Sequence, residues 1–144
     1  MELCSDNLKN IIEQKRECFQ RQDFEAMNSI EFYISCHLFK ELLECVGYLH
    51  ESNPPIIHRD LKPENVLISR ESQSGHFVKL CDFGLAIDHL LDNSMTHTAG
   101  VGTRLYMAPE VRSFKGNSTR YNSKADIYSL GIIAQYLFDH DIQS

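Results

Sequence analysis

One run of eight residues, His58-Arg59-Asp60-Leu61-Lys62-Pro63-Glu64-Asn65, constrains this chain more than any other feature. It is followed in order by Asp82-Phe83-Gly84 and by Ala108-Pro109-Glu110. Eight fixed positions recur by chance at on the order of one in twenty to the eighth power per starting site, before the two downstream triplets are counted. The set places an acid (Asp60), a cation (Lys62) and an amide (Asn65) close together in sequence, with a second acid (Asp82) downstream.

Composition narrows what surrounds that set. Lys+Arg number 14 against Asp+Glu 20, a formal charge of -6, and no basic run occurs anywhere. The chain therefore lacks the electrostatic footprint of a phosphate-backbone binder, and no nucleic-acid partner is expected. Its apolar stretches are only a few residues long, far short of a membrane span. Met1 is followed by Glu2 and Cys4, which resembles neither a secretory signal nor a myristoylation site. Cys4, Cys18, Cys36, Cys45 and Cys81 form no Cys-x-x-Cys pair. An odd number of unpaired thiols argues against a disulfide framework and a zinc site, and for a reducing, intracellular, cytoplasmic setting.

The hydrophobic pattern predicts the order of elements. Leu8, Ile11 and Ile12 fit a short amphipathic helix from Asp6 to about Lys15, with Asp6 as N-cap. The charges between Gln14 and Asn28 read as a solvated loop or helix face. Asn28 and Glu31 have capping-box spacing and open a longer helix through Ile34, Leu38, Leu42, Cys45 and Leu49, stopped by Ser52-Asn53-Pro54-Pro55. Two β-like runs, Asn65 to Ser69 and Phe77 to Leu80, flank a Gly75-containing hairpin connection. The stretch from Asp82 to Glu110 has no clear period and is longer than a passive connector needs, so a functional loop is expected there. Asp126 to Phe138 is apolar nearly all round and predicts a buried helix.

Taken together, His58 to Asn65, Asp82-Phe83-Gly84 and Ala108-Pro109-Glu110 resemble the catalytic core of eukaryotic protein kinases. Phosphoryl transfer needs a carboxylate near the attacking hydroxyl, metal ions on the phosphate oxygens and a cation beside the transferred group. The resemblance implies that Asp60 is the catalytic base, that Lys62 lies beside the γ-phosphate of ATP, and that Asn65 and Asp82 hold Mg²⁺. Lys62 followed by Pro63-Glu64 resembles the serine/threonine branch. Arg59 before the base implies a loop ordered by phosphorylation. Thr98 is the implied regulatory site, with Ser94, Thr96 and Thr103 as competitors. Thr103 aligns with the residue that bonds Asp60 and Lys62 and shapes the substrate platform. His58 and Phe83 resemble one hydrophobic spine, and Leu67, Ile133 and Leu137 the other. Asp126, at the start of a buried helix, is expected to receive backbone N–H groups of the catalytic loop. Cys81 reads as a buried, inert thiol, with a reactive thiol near the nucleotide as the alternative.

The implied fold is α+β and protein-kinase-like: a mostly α large lobe with short β-hairpins, the small lobe and C-terminal helices absent. Met1-Glu2-Leu3-Cys4 resembles the hinge, so residues 1–144 read as one partial kinase domain running from the hinge through the central buried helix. Glu2, Cys4, Lys62, Glu64, Asn65, Leu67 and Asp82 are the implied ATP-binding residues. Glu110 is expected to lack the arginine that pairs with it in the family, since Arg112 and Arg120 are not well placed. An unpaired buried carboxylate would leave the polypeptide alone poorly stable and not catalytically competent. Val101 to Glu110 and Asp126 to Gly131 resemble the stress kinases that phosphorylate the alpha subunit of translation initiation factor two. The other reading is a non-catalytic interaction module, a truncated kinase presenting the Thr103 to Glu110 platform to partners.

Overall fold

The computed structural model describes residues 6–23, 25–73, 75–82, 103–112 and 122–140. A two-residue strand β1 (Asp6–Asn7) leads into α1 (Leu8–Cys18), and a short connection leads on to α2 (Ser29–Glu51). A 3-10 turn (Pro63–Asn65) then opens β2 (Val66–Gln73) and β3 (His76–Leu80). Two four-residue helices, α3 (Thr103–Tyr106) and α4 (Pro109–Arg112), precede α5 (Ser123–Leu137).

The first helix starts later than its pattern suggests. Asn7, not Asp6, is the N-cap, its side chain accepting the Asn10 N–H at 3.0 Å. Asp6 instead belongs to β1 and accepts the Asn10 side-chain amide at 2.7 Å. The two residues pair with Ile68 and Leu67, so β1 is the outer strand of an antiparallel sheet ordered β1-β2-β3. β2 continues four residues beyond Ser69, because ladder bonds are made by the backbone and tolerate polar side chains. Gly75, at φ +83, closes the hairpin in a conformation that costs other residues strain.

Asn28 caps α2 by accepting the Ile30 and Glu31 N–H groups at 3.0 and 2.8 Å. The reciprocal half of a capping box is replaced: the Glu31 carboxylate takes the Arg21 guanidinium at 2.9 Å. The core stripe of α2 passes through Ser35, Leu38, Leu42, Val46 and Leu49, while Ile34 is exposed and Cys45 only half-buried. The helix is turned away from its simplest apolar stripe because Glu41 faces β3, where it accepts the Phe77 and Val78 N–H groups at 2.7 and 2.8 Å. The core joins Leu8 of α1, Leu42 of α2, Val66 and Val78 of the sheet, and Ile133 and Leu137 of α5. α5 buries Ala125, Asp126, Ser129, Leu130, Ile133 and Leu137 and leaves Ile127 and Tyr136 exposed, so it is covered on one side rather than all round.

The charged stretch after Gln14 is not simply solvated. Lys15 is buried and donates to the Leu137 carbonyl at 2.6 Å, satisfying an acceptor that the end of α5 leaves open. It also pairs with Asp139 at 3.0 Å. Arg21 pairs with both Glu31 and Asp139. Two cations and two anions thereby close the junction of α1, α2 and the end of α5. Burial pushes the Lys15 amine below its ordinary value, partly offset by its hydrogen bond to Asp139.

Candidate active site

Asp126 sits in the first turn of α5, whose N-cap Asn122 accepts the Lys124 N–H at 2.9 Å. Its carboxylate receives the His58 N–H at 2.9 Å and the Arg59 N–H at 3.0 Å, as expected from its place at the start of a buried helix. A third partner was not anticipated: His50, in the last turn of α2, lies with Nε2 at 2.8 Å. A carboxylate facing two N–H donors accepts from the ring as well, which assigns the proton to Nε2 of His50. A lone histidine at a helix end carries no sequence signal for this contact.

His58 is fully buried, and its Nε2 lies 3.0 Å from the Cys81 carbonyl. The loop is thus tied at its start to α5 and to the end of β3. Its other end is the 3-10 turn, where Pro63 occupies the first position and the Asn65 N–H donates to the Lys62 carbonyl at 2.9 Å. The Asn65 carbonyl accepts the Cys81 N–H at 3.0 Å and the Cys81 thiol at 3.5 Å. Asp82, the next residue, is thereby held beside Asn65. Arg59 and Asp82 have φ of +70 and +62, a left-handed conformation rare for such residues and concentrated at functional sites.

Between these anchors the polar side chains converge. Lys62 Nζ lies 2.7 Å from Asp60 Oδ2. The Asn65 side-chain amide donates to the Asp60 carbonyl at 2.8 Å and reaches its Oδ2 at 3.2 Å. The Asp60 carboxylate is therefore oriented by two donors yet stays 14% exposed, so it remains open to an incoming group. With its nitrogen committed to Asp60, Asn65 keeps one side-chain oxygen, the ligand type a hard cation takes. No cluster of three His, Cys, Asp or Glu side chains forms a metal cage among the described residues. A Mg²⁺ site needs none, since one or two protein oxygens suffice when substrate phosphates complete the shell. Asn65 and the exposed Asp82 fit that donor set.

The remaining candidates are distributed differently. Leu67 is half-buried on β2, and the exposed Glu64 carboxylate pairs with Lys9 of α1 at 3.3 Å. Thr103 begins α3, but its side chain lies outside the described residues, as do Glu2, Cys4, Phe83 and Thr98. Glu110 corrects an expectation: it is exposed, so no buried unpaired carboxylate arises there. Arg112 is engaged elsewhere, with the carbonyls of Leu105 and Met107.

The model of the protein kinase domain matches residues 1–142, which hold the buried histidine-led loop, the 3-10 turn and the acid that follows the β-hairpin. The chain belongs to the protein kinase family. It is 36% identical over 149 residues to eukaryotic translation initiation factor 2-alpha kinase 1 of Mus musculus, covering 96% of this chain and 23% of that protein. It is 40% identical over 113 residues to the eIF-2-alpha kinase GCN2 of Homo sapiens, covering 67% of this chain and 6% of that one. The chain thus spans under a quarter of the length of these relatives. Among solved structures, the yeast RNA polymerase II CTD kinase CTDK-1 complex superimposes with a TM-score of 0.64 at 27% identity, over 96% of this chain and 38% of that one. The fold is protein-kinase-like, mostly helical with a small antiparallel sheet. Protein kinases use ATP and Mg²⁺ and act on protein substrates. No helix among the described residues is long and apolar enough to cross a membrane.

Proposed function

We propose that residues 1–144 form the hinge-to-central-helix part of a serine/threonine protein kinase domain, with its phosphoryl-transfer centre at Asp60, Lys62, Asn65 and Asp82. The observation that carries this reading is the Asp60 carboxylate, fixed by Lys62 and Asn65 at the partly exposed mouth of a buried loop. A carboxylate held this way is poised to accept the proton of a substrate hydroxyl. Lys62, a compact cation, would offset charge on the transferred group. Asn65 and Asp82 would hold Mg²⁺, which when bound neutralises phosphate oxygens. Glu2, Cys4, Glu64 and Leu67 would line the nucleotide side, and Thr98 and Arg59 would form the phosphorylation-dependent pair, with Thr103 at the substrate platform. The two eIF-2-alpha kinase relatives favour the alpha subunit of translation initiation factor two as protein substrate. The four described cysteines are free thiols, which suits a reducing, cytoplasmic setting.

The test is ATP-dependent phosphorylation of that subunit by the full-length protein. Asp60→Asn is expected to lower kcat by roughly 10²- to 10⁴-fold, the usual weight of a general base. Asp82→Asn should abolish Mg²⁺-dependent ATP binding. Wild-type protein that binds partners but transfers no phosphoryl group would overturn the proposal in favour of the interaction module.

A further inference from the structure

α3 is too short to satisfy its own carbonyls, since the last turn of any helix leaves acceptors open. Its backbone supplies one closing bond, from the Met107 N–H to the Arg104 carbonyl at 3.3 Å. Side chains meet the next three carbonyls in succession. Arg112 Nη2 donates to Leu105 at 3.0 Å, Ser129 Oγ to Tyr106 at 2.6 Å, and Arg112 Nε to Met107 at 2.6 Å. The same guanidinium reaches α5, with Nη2 at 3.2 Å from the Tyr128 hydroxyl and Cζ 5.8 Å from the ring centroid. Arg112 is itself exposed and lies outside the core, so burial does not explain its placement. Leu105 keeps its side chain 42% exposed while its carbonyl is turned in to the guanidinium.

A planar fork with donors on two edges can serve carbonyls two residues apart and stack on a ring, which a lysine point charge cannot do. We propose that Arg112 is a positioning residue for the protein substrate: clamped on Tyr128, it fixes the Leu105 to Met107 backbone as the wall along which a peptide lies. This rests on the kinase reading above, in which Thr103 to Glu110 is the substrate platform. Arg112 acts through the backbone it holds, so its loss should be felt by peptide and not by nucleotide.

Initial rates of the full-length protein, with peptide and ATP varied in turn, test this for Arg112→Ala, Arg112→Lys and Tyr128→Phe, alongside thermal melting. Arg112→Ala is expected to raise KM for peptide about tenfold, the scale of one lost charge-assisted hydrogen bond, with KM for ATP and Tm unchanged. Arg112→Lys should behave like the alanine variant, because it keeps the charge and loses the fork. Tyr128→Phe should give a smaller rise in the same constant. An unchanged peptide KM would overturn the proposal. So would parallel changes in both KM values with a lowered Tm, the mark of a general structural role. Wild-type protein without phosphoryl transfer would instead sink the kinase reading, and the positioning role with it.

Discussion

Asp126 and Glu31 are buried to the same degree, each 1% exposed, yet they solve the problem of a buried carboxylate in different ways. Asp126 is surrounded by three hydrogen-bond donors, His50 of α2 and two backbone amides of the loop that carries Asp60. Glu31 is matched by a cation, Arg21, within a cluster that also holds Lys15 and Asp139. The first arrangement fixes backbone geometry at the chemistry. The second closes a helical junction. Buried charge is weak grounds for stability by itself, and the partners decide whether it positions a loop or merely balances a junction.

The sharpest way to break the contrast is to truncate one carboxylate in each system. Asp126→Ala leaves the His58 and Arg59 amides without their acceptor. An unsatisfied buried donor costs about 1 to 3 kcal/mol, so a loss of roughly 2 to 5 kcal/mol is expected in chemical denaturation of the full-length protein. Activity should fall further than stability accounts for, because the loop holding Asp60 loses its anchor. If folded Asp126→Ala retained wild-type kcat, the anchoring role assigned to this carboxylate would be wrong.

In the charged junction the effect on activity is expected to be smaller and the loss to fall on stability alone. Arg21→Ala strands Glu31 in a buried site, and breaking such a pair from one side costs about 3 to 5 kcal/mol when both partners are fully enclosed. The Arg21 and Glu31 side chains are 5% and 1% exposed and Asp139 keeps Lys15, so the expected loss is about 3 kcal/mol, at the low end of that range. Molecules that remain folded should keep the wild-type kcat, since nothing in this cluster touches Asp60. Adding Glu31→Leu to Arg21→Met should recover much of the loss, as apolar pairs replacing buried ion pairs often do. Failure of that rescue would show that Glu31 has a use beyond answering Arg21.

The same contrast explains what could be read in the sequence. The loop from His58 to Asn65 and the role of Asp126 were legible because their chemistry demands fixed residue types at fixed spacings. The junction was not, because Lys15, Arg21, Glu31 and Asp139 meet only in three dimensions, and a mixed charge run otherwise denotes a wet surface. The N-cap at Asn7 was missed by one residue, since Asp6 and Asn7 are equally good caps and only the pairing of β1 with β2 separates them. Arg112 does not serve Glu110, as its position predicts, but its bonds to Leu105 and Met107 depend on the corner between α3 and α4, which no periodicity announces.

The smallest effect concerns acid. Burial alone would raise the Asp139 carboxyl, but the hydrogen bonds from Lys15 and Arg21 outweigh it and hold the group below its ordinary value. A carboxyl whose folded pKa is depressed contributes stability that is fully present above its unfolded value, near about 4, and lost as pH falls from there through the folded value. Lys15 and Arg21 stay charged across that window, so protonating Asp139 removes the anion that the two cations share. Other carboxylates titrate there too, which makes the informative quantity the difference between wild type and Asp139→Asn. The variant should be less stable at neutral pH by no more than about 1 kcal/mol, given partial exposure, with the two melting curves converging as pH falls below about 4. A gap that stayed constant from neutral pH to pH ~3 would show that the Asp139 side chain acts through packing or the left-handed backbone at that position (φ 52) rather than through its charge.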